Sequence, residues 1–127
     1  MTITLTIPFA VHSQNREHGR HWATKHRNGA DYQLAIRAEL NRQGLFNGAL
    51  PKPGRAKVCI LRYGPRTLDV GNLIGGCKGL IDAMVREGLL RDDSPKWATF
   101  VYGQRKAPTS QAHTVVSVTY DPQRGAA

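Results

Sequence analysis

Acidic side chains gather in one stretch of this otherwise basic chain. The 127 residues include 9 Asp plus Glu against 18 Lys plus Arg, yet five of the nine fall between Arg66 and Trp97: Asp69, Asp82, Glu87, Asp92 and Asp93. Carboxylates and water are the ligands that Mg²⁺ and Mn²⁺ prefer, so one hypothesis is a divalent-metal site built by a loop, a helix and a second loop. The alternative is that these residues only cap helices and turns, with Lys78 and Asp82 as an ordinary surface pair four residues apart.

The net charge of the chain is +9, and its cations are distributed from Arg16 to Arg124 instead of being confined to a tail. Such a charge favours a polyanionic partner, and nucleic acid is the first candidate. A membrane surface is the weaker alternative, because no segment combines a basic face with a strongly apolar one.

Length and cysteine content limit the classes of protein to which this chain can belong. A chain of 127 residues fits one domain, which we place at residues 1–120 with a frayed tail at 121–127. The alternating start MTITLTIPFAV has no basic segment before it, so we expect neither a signal peptide nor a membrane span, and a cytoplasmic location. Cys59 and Cys77 lie in apolar contexts without metal-site spacing, which indicates reduced core residues and argues against zinc.

Hydrophobic periodicity predicts an α+β fold in the order β-α-β-α-β-β, with a small mixed sheet of about four strands and two main helices. Alternation predicts strands at 2–9, 55–64, 96–107 and 113–120, the second of them central and the last two joined as a hairpin. Helical spacing predicts helices at about 31–44, capped by Asp31 and ended by Gly44, and at 72–87, ended by Gly88. Glycines inside the second helix, Gly75, Gly76 and Gly79, indicate close approach of a phosphate backbone or of another helix.

A polar, basic segment separates the first strand from the first helix. It holds four of the five histidines, whose spacings match no compact ligand motif, so we interpret it as a basic loop. Its cations are candidate DNA contacts, namely Arg16, Arg20, Lys25 and Arg27. Trp22 either stacks on a base, as Tyr32 could, or anchors the core.

The predicted elements place the candidate metal ligands at two ends of one helix. Asp69 follows the second strand and Asp93 follows the second helix, which at about 16 residues is roughly 24 Å long. The two carboxylates meet only if the chain after Gly88 folds back along the helix or if a second subunit supplies one of them. If they meet, a divalent ion between them would polarise a phosphate and activate a water, and Lys78 would neutralise developing charge.

These residues resemble the signature of the RusA-type Holliday junction resolvases, which are common in phages and prophages. The likeness extends to about Tyr120 and includes the first strand with the following Ser13-x-Asn15-Arg16. Its central motif consists of Asp69-x-x-Asn72-Leu73, Lys78, Asp82, Gly88 and Asp92-Asp93-Ser94.

The resemblance implies a homodimeric, Mg²⁺-dependent endonuclease, with Mn²⁺ as a substitute, that makes paired cuts in a four-way DNA junction. By position, Asp69 and Asp93 would be metal ligands, Lys78 the catalytic lysine and Asn72 a helper at the helix start. Asp92 would be an auxiliary carboxylate. Apart from the resemblance, Arg66 and Lys96 are further candidate DNA contacts in this basic chain.

The chain departs from this family at one ligand position. The family motif Asp-x-Asp-Asn reads Asp69-Val70-Gly71-Asn72 here, so one acidic ligand is replaced by Gly71. Asp82 is a candidate to replace the lost ligand. Alternatively, Asp82 forms an ion pair with Lys78 or Arg86. Two other functions stay open: a junction-binding protein of the same fold that has lost cleavage, and a basic RNA-binding domain.

Overall fold

The computed structural model describes residues 1–13, 22–45, 50 and 53–122, with side chains described outside residues 22–28. The strands are β1 (Thr2–Ile7), β2 (Ala56–Gly64), β3 (Ala98–Lys106) and β4 (His113–Tyr120). The helices are α1 (Trp22–Arg42), α2 (Val70–Gly76) and α3 (Lys78–Arg86), and a 3₁₀ turn spans Thr109–Gln111. The predicted order of elements and the α+β class with a four-stranded mixed sheet are confirmed.

The sheet has the strand order β1-β4-β2-β3. β4 is antiparallel to both β1 and β2, whereas β3 is parallel to β2. The central position predicted for β2 is confirmed. The predicted hairpin between the last two strands is wrong, because β2 lies between β3 and β4 and the connection 107–112 crosses its end.

One face of the sheet forms the core against the helices. The side chains of Ile3, Leu5 and Ile7 alternate with exposed threonines along β1, as the sequence predicts. The same core includes Val58 and Ile60 of β2 and the buried residues of α3. Alternation of period two therefore gives the sheet one apolar face and leaves the other to solvent.

α1 begins earlier than predicted. It begins at Trp22, so Asp31 lies inside the helix instead of capping it. The Asn28-Gly29 pair reads locally as a helix breaker, but the helix continues through it. The predicted end is confirmed: Gly44 has φ 72°, and the Leu45 N–H donates to the Leu40 carbonyl at 2.8 Å.

The predicted second helix is divided at Cys77 into α2 and α3. A Cβ on Gly76 would lie 1.8 Å from the His12 carbonyl oxygen, so the segment after β1 passes directly over the glycine. A Cβ on Gly79 would lie 3.2 Å from the Tyr32 ring of α1. These glycines thus admit the chain's own backbone and a neighbouring helix, and the phosphate alternative is not needed to explain them. Gly88, with φ 82°, ends α3 as predicted.

Two polar contacts fix α1 on the rest of the fold. Arg37 donates two hydrogen bonds to Glu87 at the end of α3. At the free edge of β1, Glu39 accepts the Thr6 N–H at 3.1 Å and Gln43 donates to the Thr4 carbonyl at 2.7 Å. Side chains of α1 therefore occupy backbone groups that an edge strand otherwise leaves open.

No described helix combines the length and the apolar content needed to cross a bilayer.

Candidate functional site

Asp69 caps α2 with an exposed and oriented carboxylate. Its Oδ1 accepts the Asn72 N–H at 2.9 Å, and its Oδ2 accepts a hydrogen bond from Asn72 Nδ2 at 2.8 Å. Asn72 thus contributes by holding the Asp69 carboxylate in one rotamer. Because its N–H is used in this way, it is not free to bind a phosphate.

The turn before Asp69 is fixed by the buried side chain of Arg62. Its Nε donates to the Val11 carbonyl at 2.8 Å and its Nη1 to the Arg66 carbonyl at 2.6 Å. Burial lowers the pKa of the guanidinium, and the nearby Cys77 and Tyr32 act in the opposite direction. A Cβ on Gly64 would lie 3.0 Å from this guanidinium, so the glycine makes room for it.

A second contact attaches the same segment to β3. The Gln104 amide accepts from the Leu68 N–H at 2.8 Å and donates to the Leu68 carbonyl at 2.6 Å. Sequence reasoning missed both Arg62 and Gln104, because each looks like an ordinary residue in an alternating strand. Only the sheet pairing reveals that they position Asp69.

Lys78 and Asp82 lie one turn apart on the exposed surface of α3. Within the described residues neither takes part in an ion pair, so the proposed pairing of Asp82 with Lys78 or Arg86 is not formed. Nine residues of nearly continuous helix separate Asp69 from Lys78, which is about 13 Å along the axis. Lys78 therefore does not reach the Asp69 carboxylate as a direct neighbour.

Asp92 and Asp93 lie in the exposed turn that leads from α3 into β3. Hydrogen bonds from the Asp93 backbone and the Ser94 side chain lower the pKa of Asp92. The Ser94 carbonyl then accepts the N–H groups of Trp97 and Ala98 at 2.9 and 3.0 Å. The turn is therefore ordered and ends at the first residue of β3.

The sheet register separates Asp69 from Asp93. Leu68 contacts Gln104, which pairs with Arg62, whereas the Asp93 turn leads into Ala98, which pairs with Ala56. Six residues of strand correspond to about 20 Å. The chain after Gly88 does not fold back toward Asp69, and no group of three Asp, Glu, His or Cys side chains suited to a metal ion occurs among the described residues. The described residues of one chain therefore do not form the expected metal site.

Cations lie at both ends of the sheet. Arg66, Arg105 and Lys106 are exposed at the Asp69 end. At the Asp93 end, the Arg91 guanidinium lies 4.1 Å and Lys96 Nζ 5.4 Å from the centre of the Trp97 ring. Arg66 and Lys96 are predicted DNA contacts; the stacking of Arg91 on Trp97 was not predicted, because it depends on the turn.

Several predicted DNA contacts fall outside the described part of the chain. Arg16 and Arg20 are not described, and the side chains of Trp22, Lys25 and Arg27 are not described either, although these three lie in α1. Tyr32 is buried in the core against Phe9, with ring centroids 5.3 Å apart, so its proposed stacking on a base is wrong.

Both cysteines are free. Burial raises the pKa of the Cys77 thiol to about 12. Cys77 is fully buried and packs in the core, as the sequence predicts.

Comparison with known protein families gives no match, and comparison with curated proteins gives none either.

Proposed function

We propose that this protein is a Mg²⁺-dependent, structure-specific DNA endonuclease that resolves four-way junctions as a homodimer. The proposal rests on the resemblance between residues 69–94 and the RusA-type motif, and on a net charge of +9 in a folded domain. The observation that carries it is the exposed Asp69 carboxylate, oriented by two hydrogen bonds from Asn72 in a chain with few acidic residues.

The separation of Asp69 from Asp93 determines the form of the proposal. The described residues of one chain hold no group of three such ligands, and in this proposal a second copy supplies the missing ones. We place Asp69 of one protomer beside Asp92 and Asp93 of its partner, which gives two equivalent sites in a two-fold dimer. Two such sites match paired cuts in a junction that itself has two-fold symmetry.

Exposed apolar residues on α2 offer a contact for this dimer. Val70 is 69% and Ile74 41% exposed, and they lie one turn apart directly after Asp69. Two identical helices that pair across a perpendicular two-fold axis run in opposite directions. The start of α2 in one protomer then lies beside the end of α2 in the other, on the side from which the partner's α3 leads toward Asp92 and Asp93.

The chain's other residues have simple roles in this scheme. Arg62 and Gln104 hold the turn that carries Asp69, and Asn72 holds its carboxylate. Arg66, Arg105 and Lys106 bind phosphates near that end of the sheet, while Arg91 and Lys96 do so near the other. Lys78, exposed between the two ends, contacts the phosphate backbone as it crosses the helix surface.

A complementation experiment tests the shared site. Asp69→Asn and Asp93→Asn are purified separately, then mixed and assayed on a labelled four-way junction with Mg²⁺ or Mn²⁺. Each variant alone is expected to be inactive. The mixture should nick the junction, because a mixed dimer holds one site with both carboxylates intact and one with neither.

Wild-type protein is the positive control and should make paired cuts. The double variant Asp69→Asn/Asp93→Asn is the negative control. Mixed with either single variant, it should give no cut, because no site then holds both carboxylates. An inactive mixture of two variants that each bind the junction would show that the carboxylates do not act across a dimer.

A second candidate function is junction binding without cleavage. It is favoured by Gly71, which stands where the family motif has a carboxylate, and by the absence of a three-ligand cluster among the described residues. The two candidates differ in one result: wild-type protein that binds the junction but leaves it intact with both metals supports binding alone.

A further inference from the structure

The face of the sheet opposite the core is open. It consists of the even-numbered residues of β1 and the odd-numbered residues of β2, β3 and β4, since directly paired residues share a face. Every strand has exposed side chains there, such as Thr4, Lys57, Val101 and Thr119. No residue of this open face is Asp or Glu, whereas Lys57 and Arg105 add positive charge. Its charge therefore complements a polyanion.

Two aromatic rings stack face to face at one end of the open face, which leaves the outer side of the pair for a further ring. Tyr63 pairs with His113 in the sheet register, and their rings stack with centroids 4.3 Å apart and an interplanar angle of 7°. His113 Nδ1 lies 2.7 Å from the Gln111 carbonyl oxygen, which fixes the orientation of the imidazole. Tyr63 and His113 are both half-buried, so part of each residue is accessible to solvent.

Cations lie beside this pair and around the end of the sheet. Arg105 is the partner of Tyr63 on β3, so imidazole, phenol and guanidinium occupy one row across three strands. Lys106, next along β3, is on the other side of the sheet, and Arg66 follows the end of β2; both are exposed at the end around which a strand of DNA would pass. Aromatic rings with neighbouring cations are the means by which proteins bind single-stranded nucleic acid, through base stacking and phosphate contacts.

The pair lies at the same end of the sheet as Asp69. Leu68 contacts Gln104, the neighbour of Arg105, on the core side, while Tyr63 faces the open side. DNA that passes around this end would present phosphates near Asp69 and bases to the open face.

We propose that Tyr63 and His113 form a stacking platform for unpaired bases, with Arg105, Lys106 and Arg66 holding the adjacent phosphates. The inference deepens the proposed function, on which it rests, by naming the substrate feature: nucleotides unpaired at the crossing point of the junction. Cross-strand aromatic pairs also stabilise sheets. A purely stabilising pair, however, would not affect the preference for single-stranded over duplex DNA.

Binding in EDTA separates the platform from cleavage. Fluorescence anisotropy is measured with a short labelled thymidine oligonucleotide and with a duplex of the same length. Tyr63→Leu, which keeps an apolar residue in the sheet but removes the ring, should weaken single-strand binding about tenfold. Duplex binding should change little, because it depends on phosphate contacts.

Tyr63→Phe retains the ring and should bind as wild type, and Thr99→Ala, on the open face but away from the pair, is the matched control. Thermal unfolding of each variant verifies that it is folded. As a second measurement, a 5-iodouracil placed at the junction crossing point should crosslink to Tyr63 or His113 on irradiation, whereas the same base inside an arm should not.

The outcomes distinguish this inference from the proposed function. Equal single-strand affinity of wild type and Tyr63→Leu, or crosslinks only elsewhere, overturns the platform even if wild-type protein cleaves junctions. A platform-dependent affinity in a protein that never cleaves with Mg²⁺ or Mn²⁺ supports the platform and contradicts the nuclease. Wild-type protein that binds neither single strand nor junction overturns both.

Discussion

Single residues determine how much of a metal site this chain could form. Asp69 is exposed and oriented by Asn72, but the position two residues later is Gly71. A Cβ on Gly71 would meet only Asp69 Oδ1, at 3.7 Å. The backbone therefore accepts a side chain at position 71 without a clash among the described residues.

Replacing Gly71 with Asp should raise cleavage of a four-way junction roughly tenfold or more, because a further carboxylate beside Asp69 strengthens cation binding. The first turn of α2 also favours a negative charge, so the free energy of unfolding should not fall. Initial rates are measured over a series of Mn²⁺ concentrations.

Gly71→Ala fills the same space without charge and serves as the control. An Asp variant that binds the junction but remains as slow as the Ala variant would show that this position does not limit the reaction.

At the scale of elements, the contact between α1 and the sheet can be tested. The free edge of β1 is capped by side chains of α1, and Glu39 there accepts the Thr6 N–H while receiving two hydrogen bonds from Arg42. These bonds, led by the one from Arg42, lower the pKa of Glu39 below its usual 4.5. The docking of α1 on the sheet therefore depends on an ionised carboxylate.

The pH dependence of this contact follows from the direction of the pKa shift. A carboxyl with a lower pKa in the folded state stabilises fully above about pH 4.5 and loses that contribution as the pH falls through its folded value. Glu39→Gln should therefore reduce the free energy of unfolding at neutral pH by about 1 kcal/mol, since Arg42 is largely exposed. The difference from wild type should vanish in acid.

Urea unfolding at a series of pH values measures both effects. Asp121→Asn, which removes a more exposed pair with Arg55 at 3.7 Å, is the control and should cost little at any pH. If Glu39→Gln lowers the free energy of unfolding by the same amount in strong acid as at neutral pH, the ionic explanation is contradicted.

At the scale of the whole molecule, the proposed dimer depends on apolar residues that one chain leaves exposed. Ile74→Glu should shift the protein to monomers in sedimentation equilibrium and abolish cleavage of the junction. The fold should be retained, because Ile74 is 41% exposed in the single chain and is not part of the core.

Leu34 on α1, which is 62% exposed, provides the matched control, and Leu34→Glu should leave both association and cleavage intact. A monomeric wild-type protein that still makes paired cuts would rule out the shared site.

Sequence alone determined the features that have local causes. Alternation with period two gave the strands and their core faces, and the glycines at 44 and 88 ended helices because a positive φ suits them. The basic charge and the acidic window between Arg66 and Trp97 are likewise properties of composition. The start of α1 was not predictable from local signals, because the helix continues through Asn28 and Gly29, two residues whose propensities disfavour a helix.

Only the tertiary structure decided which strands are neighbours. Periodicity defines which face of a strand is apolar, but β3 has the same pattern whether it pairs with β4 as a hairpin or with β2 in parallel. The parallel pairing of β2 with β3 carries Asp69 and Asp93 to opposite ends of the sheet and places Gln104 against Leu68. It also puts Arg105 beside Tyr63, which the antiparallel pairing of β2 with β4 aligns with His113. These relations arise from contacts between residues that are distant in sequence, and the sequence contains no local signal for such contacts.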